Sequence, residues 1–149
     1  MSIEKLLERE EGFRETVYHC SEGYPTIGIG TVIGARYAPL EHFTLKVSKE
    51  IAYALLREEL EHINKALNKN PVYCCLNPDR KVILQSMAYQ LGVNGLMNFK
   101  KMWKALSVED YVQASREAMD SKWAKQTPAR AQRHAKVLRS GKLKSAYTY

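Results

Sequence analysis

The chain has 149 residues, of which 45% are hydrophobic, with 23 Lys or Arg against 16 Asp or Glu. That length suits one domain, and a core burying roughly 68–70% of the unfolded surface needs no disulfide staple. The composition excludes a disordered chain, and no apolar run nears the ~18 residues of a membrane span.

The charge is uneven. Residues 121–149 hold eight Lys or Arg and no Asp or Glu, which leaves 15 cations against 16 anions in the first 120. A basic C-terminal region suits a polyanion such as nucleic acid, anionic lipid or an acidic wall polymer; the alternative is a solvated basic helix with no specific partner. The N-terminus, Met-Ser-Ile-Glu-Lys-Leu-Leu-Glu-Arg-Glu-Glu, has neither the basic start nor the apolar centre of a secretory signal, so a cytoplasmic protein is expected.

Residues 3–11 read as an amphipathic helix with Ile3, Leu6 and Leu7 on one side, Ser2 as its cap and Gly12 as its stop. Residues 15–34 read as strands around a turn at Ser21-Glu22-Gly23, with β-branched residues from Thr26 to Ile33 and glycines at 28, 30 and 34. Residues 35–47 read as a loop. Ser48 opens a helix to about Asn68 with a stripe of Ile51, Leu55, Leu60, Ile63 and Leu67, and Pro71 stops it. Asn77-Pro78 opens a helix to about Leu91-Gly92. Ser107 caps another, with Glu109 and Asp110 in its first turn, and Thr127-Pro128 opens a last one that Gly141 closes.

The predicted fold is α+β and mainly helical, one domain over 1–149. A helix-plus-hairpin lobe (1–47) leads through a connecting helix (48–70) to a helical lobe (71–149). Three cysteines, Cys20 and the adjacent Cys74 and Cys75, make no disulfide framework, and the four histidines show no zinc spacing, so neither metal nor organic cofactor is expected.

Chemistry concentrates in residues 11–26. Glu11, at a helix end facing a Gly-rich hairpin, has the placing of a general acid, which must hold its proton near neutrality. Glycosidic cleavage needs such an acid and a second group on the opposite face of the sugar, for which Cys20, Glu22 and Thr26 are candidates. Against this, a helix-end Glu is often solvated, a lone Cys on a strand is often a small apolar filler, and Thr suits strands for its own reasons.

The pattern Glu11-Gly12, Cys20, Glu22-Gly23-Tyr24, Thr26-Ile27-Gly28-Ile29-Gly30 closely resembles the phage lysozymes of glycoside hydrolase family 24, of the T-even bacteriophage type. Two further anchors extend the resemblance over nearly the whole chain: Tyr89-Gln90-Leu91-Gly92 with Gly95, and Trp123, Gln126-Thr127-Pro128, Arg130-Ala131 and Arg133. The resemblance implies a lysozyme-like fold and an endolysin that cleaves the β-1,4 bond between N-acetylmuramic acid and N-acetylglucosamine in peptidoglycan, with inversion. Carried over, Glu11 is the general acid, Thr26 helps hold the attacking water, and Arg130 is the supporting arginine that pairs with the catalytic glutamate. The resemblance also implies that Tyr89, Gln90, Glu22 and Val32 line the substrate cleft.

Cys20 departs from the family pattern, which has Asp there. An ordinary thiol titrates near about pH 8.5, so only a few per cent is thiolate at neutrality. Cys20 then acts as a thiolate base for water, attacks the sugar itself with retention, or only shapes the water site. Thr31 stands where many family members have His, and the 35–47 loop is shorter. The implied partners are peptidoglycan, the anionic envelope through the basic C-terminal helix, and a holin that releases the protein from the host cytoplasm; no nucleic acid is expected, and the protein is expected to be a monomer. A lytic transglycosylase or an inactive wall-binding protein on the same fold are the alternatives. Membrane disruption by residues 128–144 is a weaker one, since the face of Ala131, Ala135 and Leu138 is poorly apolar.

Overall fold

Local capping starts the chain. In the computed structural model, which describes residues 1–148, Ser2 accepts a hydrogen bond from the Lys5 amide at 3.2 Å and opens α1 (Ile3–Glu11). Leu6 and Leu7 are fully buried on its inner side, and the Gly12 amide donates back to Glu8. A three-stranded antiparallel sheet follows in the order β1 (Arg14–His19), β2 (Pro25–Gly28), β3 (Thr31–Val32). Its register pairs Tyr18 with Thr26 and Thr26 with Val32, and a bulge between Arg14 and Tyr18 shifts the far end. Residues 35–47, read as a loop, contain a single 3-10 turn at Leu40–His42 and an isolated bridge from Lys46 to Thr16.

Ser48 caps α2 (Lys49–Leu67) as the sequence demands, accepting from the Ile51 amide at 3.2 Å. The buried stripe is Ala52, Leu56, Leu60, Ile63 and Leu67, whereas Ile51 is 51% exposed and Leu55 only half-buried. Spacings of four, four, three and four hold one face of a 3.6-residue helix, and a stripe begun at Ile51 drifts off it. Pro71 does not end α2. It is the first residue of a short helix, α3 (Pro71–Cys74), whose amides at Val72 and Tyr73 bond to the Asn70 side chain.

Asn77 caps α4 (Pro78–Met97), and Gly92, at φ 78° and ψ 158°, breaks it where the sequence places its end. Two short helices follow, α5 (Lys100–Ser107) and α6 (Tyr111–Met119). Ser107 closes α5 rather than opening a helix, with its hydroxyl donating to the Lys104 carbonyl, and Asp110 is the cap of α6. The chain ends through α7 (Lys122–Gln126), α8 (Pro128–Ser140), the left-handed stop at Gly141 and a 3-10 turn at Leu143–Ser145. Ala131, Ala135 and Leu138 of α8 are buried, so that face is engaged in the fold.

The chain divides into two compact units, Ser2–Glu61 and the residues from His62 onward with Met1; α2 runs across the division. In the first, Leu6, Leu7, Ile27, Ile29, Ala52 and Leu56 supply a core with no exposed surface. Glu8 sits beside it, bonded to Tyr53 and ion-paired with Lys49. The bond to Lys49 and then that to Tyr53 hold its carboxyl below the ordinary range. A carboxylate lowered on folding stabilises the fold above its unfolded pKa, and that contribution is lost as the pH falls through the lower folded value. Glu8→Gln should therefore flatten the acid side of a stability–pH profile followed by urea unfolding from neutral to about pH 3. A profile as steep as the wild type's would show the pair to be idle.

In the second unit a buried polar chain replaces part of the apolar core. His134, with no exposed surface, bonds through its two ring nitrogens to Ser86 Oγ and Tyr147 Oη, each at 2.8 Å. Arg80, 8% exposed, donates to the Leu138 carbonyl at 2.7 Å with its guanidinium 3.4 Å from the centroid of the Tyr111 ring.

Candidate active site

Glu11 ends α1, half-buried, with its carboxylate against the β2–β3 turn. A Cβ on Gly30 would stand 3.1 Å from Glu11 Oε2 and 3.3 Å from Cδ. Gly30 also holds φ +72°, which side-chain-bearing residues rarely adopt. The glycine therefore serves two needs at once: it makes the turn, and it lets main chain lie against the acid. Gly30→Ala should lower stability by about 1–2 kcal/mol and reduce turnover by displacing the carboxylate. Thermal unfolding and an activity assay read the two effects, and unaltered turnover would mean that Glu11 does not depend on this contact.

Cys20 follows β1. Its amide donates to the Tyr24 carbonyl at 3.0 Å and its carbonyl accepts from the Gly23 amide at 2.9 Å, which closes the turn and continues the Tyr18–Thr26 register to Cys20 and Tyr24. The thiol is free and half-buried. Thr26, 2% exposed, donates through Oγ1 to the Tyr24 carbonyl at 2.8 Å. With its proton committed there, the hydroxyl has only its lone pairs to offer a further partner.

Residues opposite one another in antiparallel strands share a face, so Tyr18, Thr26 and Val32 form one row across the sheet. Val32 is 53% exposed on it, and Glu22 is exposed at the turn. The structure thus gathers Glu11, Cys20, Thr26, Glu22 and Val32 into the first unit. It adds Tyr18, which sequence reasoning missed. Burial raises the Tyr18 hydroxyl above its ordinary range, and the Glu11 carboxylate adds to the rise against the Arg14 guanidinium, 4.7 Å from the ring centroid. The phenol therefore keeps its proton at neutral pH and can donate a hydrogen bond. Counting outward from the turn, Cys20 to Tyr24 and then Tyr18 to Thr26, was the available signal.

The remaining three residues lie in the second unit. Tyr89 and Gln90 are adjacent and half-buried on α4. Gln90 accepts from Trp123 Nε1 at 2.8 Å and donates to Thr127 Oγ1 at 3.5 Å, so its amide is engaged in tying α4 to α7 and the start of α8. Arg130 is 7% exposed on α8, and its Nη2 donates to Ser86 Oγ at 2.9 Å and to the Ser86 carbonyl at 3.3 Å.

A half-buried carboxylic acid held against glycine backbone, with a hairpin thiol and hydroxyl in the same unit, has the parts of a glycoside-hydrolase site. Residues 8–140 match the model of the family described as phage lysozyme. The chain is 31% identical to the pre-baseplate central spike protein Gp5 of Enterobacteria phage T4, over 97% of this chain and 29% of that protein. It thus spans under a third of the spike protein's length. It is 30% identical to a probable T4-type lysozyme of Dictyostelium discoideum, over 95% of this chain and 96% of that protein. It is 28% identical to an endolysin of Acyrthosiphon pisum secondary endosymbiont phage 1, over 80% of this chain and 75% of that protein. The chain belongs to the phage lysozyme family of glycoside hydrolases.

Proposed function

We propose that this lysozyme is a phage endolysin that hydrolyses the β-1,4 bond between N-acetylmuramic acid and N-acetylglucosamine in bacterial peptidoglycan. The observation that carries the reading is the Glu11 carboxyl held against Gly30 in a chain of this family. Glu11 gives its proton to the glycosidic oxygen as the bond to the anomeric carbon breaks. A water that donates a hydrogen bond to Thr26 Oγ1 attacks from the opposite face and loses its other proton to the Cys20 thiolate; the anomeric centre inverts. Cys20 takes the part that the family gives to Asp. Glu22, Val32, Tyr89 and Gln90 are proposed substrate contacts, and Arg130 is the proposed support of Glu11.

The proposed setting is the host cytoplasm until a holin opens the way to the wall. Among the described residues, no helix is long and apolar enough to cross a membrane. Lys122, Lys125, Lys136, Arg139, Lys142 and Lys144 are exposed, which supports attraction to an anionic envelope. Digestion of purified peptidoglycan followed by borohydride reduction tests the bond cleaved. The expected reduced end is that of N-acetylmuramic acid; that of N-acetylglucosamine would overturn the reading.

A further inference from the structure

The second unit buries a titratable side chain that the reaction above does not use. His134 has no exposed surface, and both of its ring nitrogens are committed, Nε2 to Ser86 Oγ and Nδ1 to Tyr147 Oη, each at 2.8 Å. The ring is hemmed in by Trp123 and Tyr147, whose centroids lie 5.8 Å and 6.1 Å from its own. Tyr147 reaches it because the chain folds back after Gly141. Asp79 accepts from the Leu143 amide at 2.8 Å, and the Leu143 carbonyl accepts from the Tyr147 amide at 2.8 Å. Ser86, also without exposed surface, is the meeting point. Its hydroxyl bonds to His134 on one side and accepts from Arg130 Nη2 at 2.9 Å on the other, and its carbonyl accepts from the same nitrogen at 3.3 Å. Arg130 and His134 are one turn apart on α8, so both reach the same residue of α4.

A serine hydroxyl by itself is a loose anchor, since its side chain has three staggered positions and its proton a free rotor. A neutral imidazole between two hydroxyls donates at one nitrogen and accepts at the other, and hydroxyls can meet either tautomer. The ring therefore holds Ser86 Oγ in one place. An arginine can only donate, so the fixed Oγ and the Ser86 carbonyl together pin Nη2, and the planarity of the guanidinium then sets where its other donors point. An apolar residue would fill the space of the imidazole without the demand that every member of a buried polar chain be bonded, so the chain calls for a role beyond packing.

We propose that His134, backed by Tyr147, is a positioning residue for the reaction: through Ser86 it aims the Arg130 guanidinium. The inference rests on the reading of Arg130 as the support of Glu11. The test is steady-state cleavage of solubilised peptidoglycan strands by variants whose folding is checked by thermal unfolding. His134→Leu should lower kcat about tenfold and leave KM unchanged. His134→Gln, whose amide nitrogen lies as many bonds from Cβ as Nε2 does, should restore most of that loss. In an Arg130→Lys background, which has already lost the fork, His134→Leu should lower kcat no further. Unchanged kcat in His134→Leu overturns the proposal. So do equal losses in His134→Leu and His134→Gln, and losses that multiply in the Arg130→Lys background, since both mark a prop for the fold. If His134→Leu does not fold, Tyr147→Phe takes its place, with an expected loss of about threefold that likewise vanishes in Arg130→Lys. Wild-type turnover in Arg130→Lys would remove the reading of Arg130 instead, and no turnover at all would leave the cycle without a baseline. In both cases the NMR spectrum of the Arg130 guanidinium decides whether His134 aims it. Separate Nη signals in the wild type that merge by rotation in the His134 or Tyr147 variant uphold the aiming, and signals that are alike in the two proteins overturn it.

Discussion

Glu11→Gln should lower turnover on purified peptidoglycan by about 10²–10⁴-fold while the protein stays folded. The substitution keeps the shape of the side chain and its contact with Gly30, and removes only the proton that the leaving oxygen needs. KM should change little, because the carboxyl acts as the glycosidic bond breaks rather than when the sugar binds. Activity within a few-fold of wild type, with an unaltered fold, would remove Glu11 from the role of acid.

The second large effect belongs to Cys20. Cys20→Asp should keep activity within about tenfold, and Cys20→Ser should lose about a hundredfold or more. The reasoning turns on what each side chain offers a water. Aspartate is ionised at neutral pH and accepts a proton, and a thiolate does the same for the fraction of thiol that ionises. A serine hydroxyl is smaller than the thiol and does not ionise. The backbone bonds from Cys20 to Tyr24 and Gly23 are independent of the side chain, so both variants keep the turn. Equal, small effects of both changes would make the thiol a bystander. Loss in both would point to a nucleophile, and a trapped glycosyl–cysteine adduct would establish it.

Both residues stood among the candidates in the sequence. Glu11, Cys20 and Thr26 are visible in the sequence as candidates that a helix end and the hairpin after it bring into one short stretch, and their proposed roles come from the family resemblance. Visible too are the caps at Ser2 and Asn77-Pro78, the start of α8 at Pro128 and the break at Gly92, since each is decided within a few residues. The start of α5 was not visible, because its cap position is Phe99, whose side chain makes no capping bond. The α2 stripe slipped by one residue because Ile51 and Leu55 satisfy a four-residue spacing as well as Ala52 and Leu56 do; only packing against Gly28, whose Cβ would lie 3.1 Å from that of Ala52, separates them.

What sequence alone could not supply at the site is long-range. Gly30 reads as a bend, and its contact with Glu11 joins residues nineteen apart through the sheet. His134 reads as a histidine outside any zinc spacing, and it acquires meaning from Ser86 and Tyr147, which the fold brings to its two ring nitrogens. Gln90 reads as a cleft residue, while the fold shows its amide tied to Trp123 and Thr127, a pairing fixed by how α4, α7 and α8 meet.

The most direct test of the account is mass spectrometry of the fragments released from purified peptidoglycan by the wild type, with Glu11→Gln as the blank. The account predicts fragments with ordinary reducing N-acetylmuramic ends, present with the wild type and missing from the blank. Fragments one water lighter, with anhydro ends, would contradict it, because the sugar's own hydroxyl would then have taken the place of the water assigned to Thr26 and Cys20.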